Sequence, residues 1–144
     1  MLKIASVVAL PIAVLSLVAL ALRESLFSSM PVVIACQVCA LAVMLWARSV
    51  FPKGSFRVSA HPAGAQVLQT GPYRFLRHPM YAGALWILWA GIAAHFSVLN
   101  AGIGAVATVA VVGKIIFEER LLRASFPGYE TYARATKALI PFVL

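Results

Sequence analysis

The chain has 144 residues, enough for one domain, but 62% of them are hydrophobic and only 11% charged. A soluble globular protein runs near half apolar and a quarter charged, so the composition argues against one and for an integral membrane protein. The net charge of +8 then reads as a basic face against an anionic leaflet, with no nucleic-acid partner.

The first apolar run, Ile4 to Leu22, is just long enough to span the hydrocarbon core. Pro11 within it is tolerable in a membrane helix. A signal-peptide apolar region is shorter, about 7 to 15 residues, so the run is expected to be a retained span. Arg23-Glu24-Ser25 and Ser28-Ser29 make a polar break, and Pro31 opens a second run that continues to Trp46. Proline suits a first helical turn, and Trp46 with Arg48 reads as an interfacial anchor. Gln37 in this span is expected to hydrogen-bond a neighbouring helix. Cys36 and Cys39 are spaced C-x-x-C, but no βαβ pattern and no second ligand pair accompany them. They read as small apolar residues, neither a zinc site nor a redox site.

Ser49 to Leu76 is the longest segment that is not apolar, and loops of that length are usually functional or disordered. A third span is expected from Pro79 to about His95, a tight turn at Asn100 and Gly102, and a fourth span from Ala101 to Phe117. Glycine and alanine in the fourth let helices approach closely, so the last two spans read as a helical hairpin. A charged tail follows, broken at Phe126-Pro127-Gly128, with Tyr129, Tyr132 and Arg134 on a short helix ended by Pro141. The fold class is therefore all-α and polytopic, with about four transmembrane helices and a short amphipathic C-terminal tail. The chain reads as a single membrane domain over 1–144, in which 1–48 hold two spans and 49–144 hold loop, hairpin and tail. Lys and Arg cluster in the long loop and the tail, which puts both termini in the cytoplasm.

Chemistry concentrates in Gly71 to Gly83, where prolines, arginines and a histidine abut an apolar run. Polar backbone beside a span is costly unless it lines a pocket or cavity. The hairpin would return the chain to this point, so Arg77, His78 and Tyr81 should approach Lys114, Glu118 and Glu119. His78 and Tyr81 share a helix face. A carboxylate pair beside a bilayer needs a cation or a ligand; Arg74, Arg77 and Arg120 are the structural candidates. Lys114 lies one turn before Glu118 and either snorkels to the headgroups or faces the space beside that carboxylate.

The ordered set Gly71-Pro72-Tyr73, Arg77-His78-Pro79-Met80-Tyr81-Ala82-Gly83, Glu118-Glu119-Arg120-Leu121-Leu122, Phe126 with Tyr129 and Tyr132, and Pro141 resembles the isoprenylcysteine carboxyl methyltransferase and phospholipid methyltransferase superfamily. The resemblance covers roughly residues 65 to 142. It implies a membrane enzyme that uses S-adenosyl-L-methionine and modifies a hydrophobic or lipid-like acceptor within the bilayer. It further implies that Gln66, Val67, Leu68, Tyr73, His78, Pro79, Met80, Tyr81 and Glu118 line the cofactor site. Eukaryotic members begin the first of these stretches with His, where this chain has Ala65. Lys114 falls where prenylcysteine enzymes carry a substrate-contacting Arg, which makes Lys114 the candidate for orienting the acceptor, with Arg77 next. The nearest rival is an NADPH-dependent membrane reductase of the sterol reductase type, which tends to read His-Pro-Asn-Tyr where Met80 stands here. A small transporter usually buries a carboxylate within a span, and a non-enzymatic membrane subunit is the third reading.

Overall fold

The computed structural model describes residues 2–50 and 68–140, with side chains of the first helix described from Val8 onward. The elements are α1 (Leu2–Leu22), α2 (Pro31–Ser49), a 3-10 turn (Gly71–Arg74), α3 (Pro79–Ala94), α4 (Val98–Ser125) and α5 (Tyr129–Ala135). Among the described residues there is no strand, only an isolated parallel bridge between Leu76 and Lys137.

Local chemistry sets the helix starts. Pro31 and Pro79 sit in the first turns of α2 and α3, where a missing N–H loses no helical bond. Ser97 caps α4 by accepting the Asn100 amide at 3.1 Å, which satisfies one of the orphan donors of a helix start. The turn between α3 and α4 is therefore 95–97, and Asn100 and Gly102 lie inside α4. The expected turn at Asn100 is corrected by this cap.

α1 packs chiefly against α4 and α2 against α3, while α3 also touches α4 and α1. The third and fourth helices are thus joined by the shortest turn but are not the closest pair. One core cluster joins Leu20, Leu26, Leu88, Ile92 and Ala107; a second joins Leu85, Val111 and Ile115 with Ala13, Tyr81 and Leu139 around it. Polar side chains fasten the end of the bundle opposite the second cluster. Arg23 donates to Asn100 Oδ1 at 2.9 Å, and Asn100 donates to the His95 carbonyl at 2.7 Å. Gln37 donates to the carbonyls of Leu26 and of Ile87 in α3, at 2.7 and 3.2 Å, as expected of an amide in an apolar helix. Gly83 allows the α2–α3 approach: a Cβ there would run into Met44 and the Ala40 carbonyl.

The outer faces are apolar. Val32, Val38, Leu41 and Leu45 of α2 and Val106, Val109 and Ile116 of α4 are exposed, a surface that water does not tolerate on this scale. α2 and α4 are both long and apolar enough to cross a membrane, and only 17% of the apolar window of α2 is buried, unlike a soluble core helix. Val8–Leu22 and Pro79–Ala94 are shorter apolar helices. The protein is a helical membrane protein.

α4 is longer than the expected Ala101–Phe117. It begins at Val98 and runs through Glu118-Glu119-Arg120 to Ser125, so the glutamate pair stands on a continuous helix. The i,i+4 pairs Lys114–Glu118 and Glu119–Arg123, at 3.1 and 3.2 Å, support that extension. α5 ends at Ala135; Pro141, expected to end it, lies outside the described residues.

Candidate functional site

The site forms where the 3-10 turn, residues 75–78, the start of α3 and the C-terminal half of α4 converge, with α5 packed alongside. Gly71 makes the turn possible: its φ is +58°, and a Cβ would meet Val50 at 2.7 Å and Trp46 Nε1 at 3.2 Å. Only glycine adopts that conformation without strain and fits against the end of α2. Residues 75–78 are then held by the tail. The Arg77 amide donates to the Lys137 carbonyl at 2.7 Å, the His78 amide to the Ala138 carbonyl at 3.2 Å, and the Lys137 amide to the Phe75 carbonyl at 3.0 Å.

His78 precedes the first turn of α3 and is buried. Its imidazole stands between the two carboxylates of α4. Nδ1 lies 3.7 Å from Glu118 Oε2, and Nε2 lies 3.5 Å from Glu119 Oε1. Both are too long for a good hydrogen bond, and Nε2 is buried with no hydrogen-bond partner. Glu118 Oε1 accepts from the Tyr81 hydroxyl at 2.8 Å and from Lys114 Nζ at 3.1 Å. Lys114 is 3% exposed, so it does not snorkel to the headgroups. Glu118 Oε2 lies towards the imidazole Nδ1, and an ionised carboxylate offers about four acceptor sites over its two oxygens.

Glu119 belongs to a different network. Arg77 Nε donates to Glu119 Oε1 at 2.7 Å, and Arg123 Nη2 lies 3.2 Å from Oε2. Arg77 Nη1 also donates to the carbonyls of Ala133, at 2.7 Å, and Thr136 at the end of α5. A guanidinium at a helix C-terminus complements the exposed carbonyls and the dipole. Arg77 thus joins the loop, α4 and α5.

All four tyrosines of the chain gather here. The Tyr132 hydroxyl donates to the Tyr73 carbonyl at 2.8 Å, and the Tyr129 and Tyr132 rings meet edge-on at 5.8 Å. Burial raises the Tyr73 phenol, with the Glu118 carboxylate adding to it, and burial raises Tyr132 likewise. Burial, then the Glu119 carboxylate, push Tyr129 up to about 12. These phenols stay neutral at physiological pH and act as hydrogen-bonding groups.

The arrangement presents a carboxylate edge, an imidazole nitrogen and a buried ammonium at one end of an apolar bundle, which suits a polar ligand beside a lipid-borne one. The phospholipid methyltransferase family model matches residues 31–128, more than half of the chain. The chain belongs to the phospholipid methyltransferase family. That family lies within the isoprenylcysteine carboxyl methyltransferase and phospholipid methyltransferase superfamily, and its activity is methyl transfer to lipid-like substrates. No curated protein and no solved structure matches the chain.

Of the residues expected to line the cofactor site of this phospholipid methyltransferase family member, His78, Tyr81 and Glu118 are brought together with Lys114. Tyr73 lies within the field of Glu118. Pro79 is fully buried and Met80 half-buried at the start of α3. Leu68 is half-buried ahead of the turn, whereas Gln66 and Val67, with Ala65, lie outside the described residues. Among the arginines proposed as structural partners of the glutamates, Arg77 takes Glu119, while Arg74 lies exposed with its guanidinium 5.9 Å from the Phe75 ring centroid. Sequence reasoning missed Arg123; its spacing of four from Glu119 was the available signal. It also missed the backbone pairing of residues 75–78 with 137–138, for which side-chain identity gives no signal.

Proposed function

We propose that the protein transfers a methyl group from S-adenosylmethionine to a hydrophobic or lipid-like acceptor at the cytoplasmic face of the membrane, four helices spanning the bilayer with both termini cytoplasmic. Family membership supports methyl transfer; the donor set of the site supports the cofactor. The observation that carries the reading is the pairing of an unsatisfied buried His78 Nε2 with the Glu118 carboxylate, which accepts through both of its oxygens. Buried polar atoms are satisfied in all but a few cases, so a ligand with both donors and acceptors fits this place. S-adenosylmethionine carries an ammonium, ribose hydroxyls and a carboxylate. Bound there, it supplies a methyl group on a sulfonium sulfur.

The chain's own residues hold and orient. Glu118 accepts from an ammonium or from ribose hydroxyls, and Tyr81 and Lys114 fix that carboxylate. His78, locked by its amide bond to Ala138, presents its ring nitrogen. Lys114, buried one turn from Glu118, steadies an anionic acceptor group, a carboxylate or a thiolate. Arg77 has three of its contacts on Glu119 and the end of α5, so it positions the loop and stands second to Lys114 as a contact for the acceptor. The apolar walls exclude water, and methyl transfer then depends mainly on holding the two reactants at near-attack distance.

Titration calorimetry with S-adenosylmethionine tests this. His78→Ala and Glu118→Gln should each weaken binding while both variants remain folded in detergent. Unchanged affinity in both would remove these residues from the cofactor site, and NADPH binding by the wild type would favour the reductase reading instead.

A further inference from the structure

Among the described residues, two polar side-chain atoms are buried without a hydrogen-bond partner: His78 Nε2 and the Tyr129 hydroxyl. His78 is absorbed by the cofactor site. Tyr129 is not, and its hydroxyl has no partner among the described residues. The residue is 2% exposed, and phenylalanine would fill the same space without stranding an oxygen. The neighbouring Tyr132 is the contrast, because its hydroxyl is satisfied by the Tyr73 carbonyl at 2.8 Å. A buried hydroxyl left unpaired destabilises the fold, and such groups call for a ligand or a water.

The surroundings select the ligand's chemistry. The Arg123 guanidinium lies 5.9 Å from the centroid of the Tyr129 ring. Arg77 and Arg123 both pair with Glu119, and Arg123 also pairs with exposed Glu130 at 3.2 Å, so two guanidiniums stand near this ring for an anionic group to face. An anionic group is favoured beside this end. The phenol itself is held neutral, pushed up to about 12 by burial and then by Glu119, so it is a hydrogen-bond donor at physiological pH. Glu118, the acceptor at the other end, is the neighbour of Glu119 on α4, and His78 lies between the two glutamates. One end of the site therefore offers an acceptor for a cation and the other a donor for an anion. An α-amino acid group, which carries ammonium and carboxylate on one carbon, matches both.

We propose that the Tyr129 hydroxyl binds the methionine carboxylate of S-adenosylmethionine, so that α5 contributes a cofactor-binding residue. The inference rests on the S-adenosylmethionine reading of the site and adds the orientation of the cofactor's amino-acid end. Arg77 has a second task on this account: by holding the carbonyl end of α5, it sets where Tyr129 stands.

The test uses the full chain in detergent, with Tyr129→Phe against wild type, and two ligands: S-adenosylmethionine and its decarboxylated form. Calorimetry should show Tyr129→Phe binding S-adenosylmethionine on the order of tenfold more weakly, the size expected for one hydrogen bond to a charged group. Affinity for the decarboxylated ligand should be the same in both proteins. Thermal unfolding without ligand should occur at the same or a higher temperature in the variant, because the substitution removes an unpaired group. Equal affinity of the two proteins for S-adenosylmethionine would overturn the proposal while leaving the wider reading intact. So would an equal loss on both ligands, or a lower unfolding temperature of the ligand-free variant, which would mean that the hydroxyl is satisfied within the fold. If wild type bound neither ligand, the S-adenosylmethionine reading itself would fail and the proposal with it.

Discussion

Arg77→Met should unfasten three elements at once. Its guanidinium bonds Glu119 at 2.7 Å, with the two side chains only 13% and 10% exposed, and it satisfies two carbonyls at the end of α5. Removing one partner of a buried ion pair costs roughly 3–5 kcal/mol because a charge is left stranded. Glu119 retains Arg123, but that side chain is 45% exposed and its help is screened by solvent. The lower end of the range, about 3 kcal/mol, is the appropriate value. For a chain of this size each kcal/mol lowers the unfolding temperature by about 2–4 °C, which gives roughly 6–12 °C. Thermal unfolding in detergent, followed by tryptophan fluorescence, reads this directly. Arg77→Lys keeps the charge but loses the fork and should fall between. Adding Glu119→Gln to Arg77→Met should recover part of the loss, since it neutralises the stranded carboxylate. An unfolding temperature within about 1 °C of wild type for Arg77→Met, or simple addition in the double variant, would refute the reasoning.

Lys114→Met should lower turnover of an anionic acceptor by on the order of 10²-fold, whereas Lys114→Arg should keep much of it; weaker cofactor binding with turnover unchanged at saturation would assign Lys114 to Glu118 alone. For topology, single cysteines placed at Ser29 and Ser125 after replacing Cys36 and Cys39 should label from opposite sides of the membrane, and labelling from one side would sink the four-span arrangement. The tyrosines give a pH dependence. Tyr129 has a folded pKa near 12 against an ordinary value of 10.0, so its share of stability is complete below about pH 10 and is lost as pH rises towards 12. Unfolding temperature should hold up to about pH 10 and fall above it, with tyrosinate absorbance appearing alongside unfolding; absorbance developing near the ordinary phenol range in a folded protein would contradict the burial of these rings.

The meeting of the loop with α4 was legible because it follows from chain reversal. A third and fourth helix joined by a short turn must bring His78 and Tyr81 back towards Lys114 and Glu118, and the Tyr81–Glu118 hydrogen bond at 2.8 Å is that meeting. Helix partners were not legible. α1 and α3 are apolar on nearly every face, so no stripe marks which neighbour each one takes, and α1 lies on α4 and α2 on α3. The continuation of α4 past Phe117 was not legible because charge at Glu118-Glu119-Arg120 marks the end of an apolar run, whereas Glu, Arg and Leu are good helix formers and the i,i+4 pairs carry the helix to Ser125. Ser97 outranked Asn100 at the turn because its hydroxyl caps α4. The tail's grip on residues 75–78 was invisible for a simpler reason: backbone amides and carbonyls make it.

On the proposed reading, this site holds S-adenosylmethionine. Equilibrium binding of radiolabelled S-adenosylmethionine to the purified protein in lipid nanodiscs tests it most directly. Binding should be saturable, displaced by the demethylated product, not displaced by NADPH, and weakened by Glu118→Gln. Absence of saturable binding by the wild type, or displacement by NADPH, would contradict it.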